Sequence, residues 1–191
     1  MSVEGTLIFT FVGKQVMAVK NSLLLMLNNH SEVFAKKIVF CFSDAALESF
    51  NEKHGDPIKW AKNTLIEGKK RLFMETLLPE QVEIKTGKIS NEHDIEKIKN
   101  EVVEIIKSNI NDEIDAIIID ITPGRKSMGV AGFLAAIELY KEFKQEKNIY
   151  LHYYWFKSVS QAKNKEKEAW EIYEDEYNSK IWSIEKLIPN V

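Results

Sequence analysis

Apolar runs alternate with amphipathic stretches along most of the chain. "GTLIFTFVG" (5–13) is apolar almost throughout and predicts a buried strand ended by Gly13. In "KQVMAVKNSLLLMLNNH" (14–30), Val16, Val19, Leu23, Leu24 and Leu27 recur at helical spacing. "AKKIVFCFS" (35–43) is β-branched and aromatic, so it predicts a second strand, with Ser43 or Asp44 able to cap the helix that follows. "HGDP" (54–57) breaks that helix, and Asp56 before Pro57 is the N-cap pattern of the next. This next helix is expected over 57–78, with Ile58, Ala61, Leu65, Leu72 and Leu77 towards the core and Pro79 ending it. "QVEIKTG" (81–87) alternates apolar and polar residues, as a strand nearer a sheet edge does. Residues 90–110 form an amphipathic helix with the stripe Ile95, Ile98, Val102, Ile105 and Ile106. "DAIIID" (115–120) reads as a strand buried on both faces. A helix over about 126–144 carries Gly129 and Gly132 on one face, which permits close approach to the sheet, and "NIYLHYYWF" (148–156) is a further strand.

Strand and helix therefore alternate five strands deep. That order argues for an α/β fold, a doubly wound, mostly parallel sheet flanked by helices on both faces. The division expected is one Rossmann-like domain over 1–157 and a C-terminal extension, 158–191, packed on the same domain. Within the extension, 158–180 is charge-dense and reads as a solvated loop and helix, with Trp170 and Tyr173 docking one side. Periodicity leaves "IWSIEKLIPNV" (181–191) open between a final strand and a short helix.

Composition narrows the classes. The 191 residues are 45% hydrophobic and 29% charged, as expected of a globular chain with a substantial core. A net charge of −3 gives no support for bulk DNA or RNA binding, although a local basic pocket remains compatible with it. The one cysteine, Cys41, lies in the apolar "KIVFCF" and reads as a core residue, so neither an internal disulfide nor a cysteine metal cluster is expected. The N-terminal residues lack the pattern of a signal peptide, and no stretch approaches about 18 uninterrupted apolar residues, so neither a leader nor a membrane span is expected. A cytoplasmic location fits.

Candidate chemistry follows from topology. In an open α/β sheet, ligands bind outside the carboxyl ends of the strands, at the point where strand order reverses. That rule selects Thr10, Gly13, Lys14 and Gln15 after the first strand, Ser43 and Asp44 after the second, Thr122 to Ser127 after the fourth, and Lys157 and Ser158 after the fifth. Glycine, hydroxyl and basic residues there suit phosphate, because glycine lets the backbone come close and a helix N-terminus attracts an anion. Bases normally favour the end of a helix, since its start is already positive. Arg125 and Lys126 at a helix start therefore point to an anion held there. Asp120 is placed to cap the turn or orient Lys126. His152, inside a strand, reads as a packed or hydrogen-bonded residue. The chain has no G-x-x-x-x-G-K-[ST], no G-x-G-x-x-G after its first strand, no H-E-x-x-H and no G-x-S-x-G.

At "DITPGRKSM" (120–128) the sequence resembles the signature of the CRISPR-associated Rossmann-fold (CARF) domains, an apolar strand followed by D/N-x-T-G-G-T-K-x-M and a helix. Asp120, Thr122, Gly124, Lys126 and Met128 match, while Pro123 and Arg125 depart from the usual Gly and Thr. "FTFVGKQ" is similar to that family's second ligand-contacting segment. The resemblance implies a sensor of cyclic oligoadenylate, the second messenger of type III CRISPR antiviral defence, working as a two-fold homodimer with a shared pocket. It implies that Lys126 and the amides around Gly124 hold phosphate, that Thr122 supports the turn, and that Gly13, Lys14 and Gln15 line the pocket. Thr10, Ser43, Pro123, Ser127 and Met128 complete the expected ligand-binding set, with Arg125 and Lys126 as the catalytic pair. No metal and no cofactor is expected. Three readings stay open: a ring nuclease that cleaves the messenger, with cyclic tetra-adenylate the expected ligand; a non-catalytic sensor acting on a fused or separate effector; and an α/β domain for another nucleotide or phosphometabolite.

Overall fold

Strands that are apolar on both faces can be buried only by helices packed above and below them. The computed structural model, which describes residues 3–13, 15–90, 92–157, 167–172 and 176–188, shows that solution. Strands β1 (Val3–Val12), β2 (Val33–Ser43), β3 (Glu83–Ile89), β4 (Ala116–Asp120) and β5 (Asn148–Phe156) are parallel, and β6 (Tyr177–Ser183) runs antiparallel to β5. Their order is β3-β2-β1-β4-β5-β6, so the chain moves outward from β1 to β3 and then returns to place β4 on the other side of β1. The carboxyl ends of β1 and β4 are therefore the switch point of a Rossmann-like α/β sheet. β3 is the edge strand that its alternation predicts.

Helices α1 (Val16–Asn29), α2 (Asp44–His54) and α3 (Pro57–Leu72) cover one face, where Leu23, Leu24, Phe50 and Leu65 pack on Ile8, Ile38, Phe40 and Phe42. Helices α4 (Ile95–Lys107) and α5 (Lys126–Phe143) cover the other, where Ile98, Val102, Ala131 and Leu139 pack on Leu7, Phe9, Phe11 and Cys41. Each fully buried side chain of this size contributes roughly 1.5–3 kcal/mol relative to exposure. Burial also pushes the Cys41 thiol well above its ordinary range, which fits its core position. Gly132 lets α5 sit against the sheet: a Cβ there would lie 3.1 Å from the Phe11 ring and 3.2 Å from Ile121 Cγ2.

Of the two cap candidates before α2, Ser43 forms the cap, and the Asp56 cap forms as expected. Ser43 Oγ accepts from Ala46 N at 3.3 Å, and Asp56 Oδ1 accepts from Lys59 N at 2.7 Å. Several boundaries differ from expectation. The helix expected over 57–78 ends at Leu72, because Phe73 turns left-handed at φ 54° and its N–H caps Lys69 O. Lys69, Lys70 and Arg71 in that last turn suit the negative helix end. Leu77 still reaches the core, from irregular chain, whereas Ile58 is 37% exposed and Leu72 only half-buried. The helix expected from 90 starts at Ile95, after the Asp94 cap, and Ile95 is itself exposed. Tyr177 to Lys180, expected within a loop and helix, belong to β6, and 181–188 holds both strand end and a short helix, α6 (Ile184–Leu187). Trp170 packs against the α1–α3 core, with Lys20 Nζ 4.6 Å from its ring centre, and Tyr173 lies outside the described residues. No described helix is long and apolar enough to cross a membrane.

Candidate functional site

Strand register brings three polar residues into line beneath the switch point. Thr10 pairs with Asp120, and Asp120 with His152, and all three are fully buried. Asp120 Oδ2 accepts from Thr10 Oγ1 at 3.1 Å. Its Oδ1 lies 3.0 Å from His152 Nδ1 and accepts from Thr122 N at 3.1 Å. His152 Nε2 continues the chain to Ser179 Oγ of β6 at 2.8 Å, and Thr122 Oγ1 accepts from Tyr154 N, also at 2.8 Å. Burial alone pushes the Asp120 carboxyl up, but the charge and hydrogen bond of His152, with the hydrogen bonds of Thr122, hold it below the ordinary aspartate range. Asp120 thus caps the turn and joins β1, β4 and β5. It does not orient Lys126.

Above this base, the backbone turns sharply. Gly124 has φ 95°, and a Cβ there would lie 2.8 Å from Met128 Sδ and 3.2 Å from Phe11 Cβ. A Cβ on Gly13 would lie 3.3 Å from Gly124 Cα. The loops after β1 and β4 therefore meet glycine to glycine, a close approach that any side chain would push apart. Gly13 does more than end its strand.

The turn divides two clefts. One, of about 380 Å³, opens towards α1 and α2 and is lined by Gly13, Gln15, Ala45, Glu92, Pro123, Gly124, Arg125 and Met128. The other, of about 530 Å³, opens towards α5 and β5 and is lined by Thr122, Gly124, Arg125, Lys126, Val130, Phe133 and Tyr153. Val130 and Tyr153 are 47% and 40% exposed, so this second cleft has an apolar wall facing a cationic turn. α5 starts here with Arg125 as its N-cap residue, and its first-turn amides have no acceptor within their own helix. The Arg125 amide is taken by Met128 Sδ at 3.3 Å.

The two bases differ. Arg125 Nε lies 2.5 Å from Glu92 Oε2, and the Arg125 side chain is 51% exposed. Lys126 is exposed, and among the described residues it has no ion pair or hydrogen-bond partner. Of the residues expected at the site, Gly13, Gln15, Thr122, Pro123, Gly124, Arg125, Lys126 and Met128 line the two clefts. Thr10 lies under the turn as a support for Asp120. Ser43 is buried, caps α2 and donates to Glu92 Oε1, and Ser127 Oγ donates to the Glu92 carbonyl at 2.6 Å. Lys14 lies outside the described residues. Sequence reasoning missed Glu92 and Tyr153. Glu92 follows the edge strand and reaches the turn only across the sheet, so no local spacing marks it. Tyr153 sits in a strand whose aromatic content reads as core, and only the sheet's end shows it open to solvent.

No protein-family model matches the chain, and no curated protein matches it. Among solved structures, it is similar to Csm6 of Enterococcus italicus bound to cyclic hexa-2′-fluoro-hexa-dAMP, at 14% identity and a TM-score of 0.46, over 77% of this chain and 33% of that one. It is also similar to the protein VC1899 of Vibrio cholerae, at 8% identity and a TM-score of 0.45, over 76% of this chain and 30% of that one. The chain thus spans about a third of the length of each of these structures.

Proposed function

We propose that this chain binds a cyclic oligoadenylate, with cyclic tetra-adenylate the first candidate, in a pocket shared by two copies, and opens its ring without a metal. One observation carries the reading. The glycine-lined ends of β1 and β4 meet at the switch point and present an unpaired lysine, a helix start and two clefts side by side. A polyanion with several bases suits that surface better than a single phosphate would. The match of Asp120, Thr122, Gly124, Lys126 and Met128 to the CARF signature supports the same reading, now with a role for Asp120 and Thr122 as the frame of the turn. In this reading residues 1–157 are the sensor domain, 158–191 extend it, and the protein works in the cytoplasm.

Ring opening needs the ribose 2′-hydroxyl to attack its own 3′-phosphate in line, leaving a 2′,3′-cyclic phosphate and a free 5′-hydroxyl. The protein's part is to fix that alignment and to stabilise charge on the phosphorane. In this reading Lys126 takes the second task, with the first-turn amides of α5 beside it. Incubation with radiolabelled cyclic tetra-adenylate in the presence of a chelator tests the proposal; the expected product is a linear oligoadenylate ending in a 2′,3′-cyclic phosphate. A ring left intact after long incubation removes the cleavage step.

A non-catalytic sensor is the second reading. What favours it is the engagement of Arg125 by Glu92, which among the described residues leaves Lys126, but not Arg125, without a carboxylate partner. Tight binding without turnover would establish it.

A further inference from the structure

Glu92 sits in the mouth of the cleft between the turn and α2, and it uses the donors expected to face a phosphate. Ser43 Oγ donates to Glu92 Oε1, Arg125 Nε lies 2.5 Å from Oε2, and Ser127 Oγ donates to the Glu92 carbonyl at 2.6 Å. One residue from the connection between β3 and α4 thus engages three polar side chains from the end of β2 and the start of α5. Its side chain is only 19% exposed, against 51% for Arg125. A carboxylate and a phosphodiester are chemically alike at such a place: each is a monoanion with two free oxygens, and arginine forks to both. Two anions cannot take the same Nε–H and the same hydroxyl proton at once.

We infer that the Glu92 carboxylate occupies the seat of a ligand phosphate, so that a phosphodiester binds on Ser43 and Arg125 only by displacing it. The inference rests on the proposed function for the identity of the ligand, but not for the existence of the seat. It assigns the two bases different roles. Lys126, unpaired among the described residues, makes the first contact, whereas Arg125 offers its Nε to a phosphate only when Glu92 gives way. It also makes the cleft selective. A neutral nucleoside offers nothing that displaces the carboxylate, while a phosphodiester replaces one anion with another.

Titration calorimetry with two probes, cyclic tetra-adenylate and inorganic tripolyphosphate, tests this on the wild-type chain, Glu92→Gln, Arg125→Ala and the double variant. Glutamine keeps the shape and an acceptor for Ser43 but loses the charge. Since the displaced pair is half-exposed, Glu92→Gln is expected to bind both probes roughly two- to fivefold more tightly. The gain should vanish when Arg125 is already alanine. Equal or weaker binding of both probes by Glu92→Gln overturns the inference. If cyclic tetra-adenylate binds the wild type and Glu92→Gln alike, the proposed function stands and this inference falls. If cyclic tetra-adenylate binds neither protein but tripolyphosphate binds Glu92→Gln more tightly, the anion seat stands and the proposed function falls. No binding of either probe to either protein removes both.

Discussion

The two clefts beside the 122–126 turn share a backbone and differ in charge. On the α2 side, Arg125 faces a carboxylate, and its neighbours Ser43 and Ser127 are engaged by the same residue. On the β5 side, Lys126 faces Val130, Phe133 and Tyr153 with no counter-ion among the described residues. Adjacent bases in a sequence need not act as a pair. Among the described residues, this helix start holds an arginine paired with a carboxylate and a lysine left open to solvent.

Asp120→Ala removes the support of both clefts and leaves His152 buried without its carboxylate, so a loss of about 3–5 kcal/mol is expected in urea unfolding. The same group sets an acid limit. Its carboxyl is held below the ordinary aspartate range in the folded state, so its contribution is fully present above the unfolded value of about 3.9 and is lost as pH falls through the lower folded value. Unfolding followed from pH 6 downwards should show that limb, and Asp120→Asn should flatten it.

Lys126→Ala should weaken binding of cyclic tetra-adenylate about 10- to 100-fold with no change in thermal midpoint, since the side chain is exposed and unpaired. Unchanged affinity would place the ligand elsewhere. Gly124→Ala strains a backbone at φ 95° and drives a Cβ against Met128, so a loss of about 1–3 kcal/mol is expected by thermal unfolding, with weaker ligand binding as a consequence. The smallest effect should come from Arg125→Ala. Its pair with Glu92 is half-exposed, so stability should change by less than about 1 kcal/mol in urea unfolding. A large loss there would mean that the Glu92 strap holds the fold together rather than guarding an anion seat.

Legibility followed the range of the interactions. β4 is legible because its run "AIII" is continuously apolar, and the Asp56 cap because a cap is a contact three residues long; between Ser43 and Asp44 the structure chooses Ser43. The end of α3 is not, because Pro79 is a visible breaker while Phe73 in the left-handed region is not. β6 was hidden because its alternation makes sense only against β5: Ser179 meets His152, and Tyr177 packs 5.5 Å from Tyr154. At the site, the turn and its bases were legible in a nine-residue stretch, whereas Glu92 lies 33 residues from Arg125 in sequence and beside it in space.

The sequence alone decides what is local: the order of the first five strands and their helices, the chemistry of the turn, and the two bases at a helix start. These follow from periodicity, caps and backbone preference, which act over a few residues. Tertiary structure decided which of those bases is free. Charge pairing depends on distance in space, and only the folding of β3, β1 and β4 into one sheet carries the Glu92 carboxylate to Arg125 while leaving Lys126 exposed.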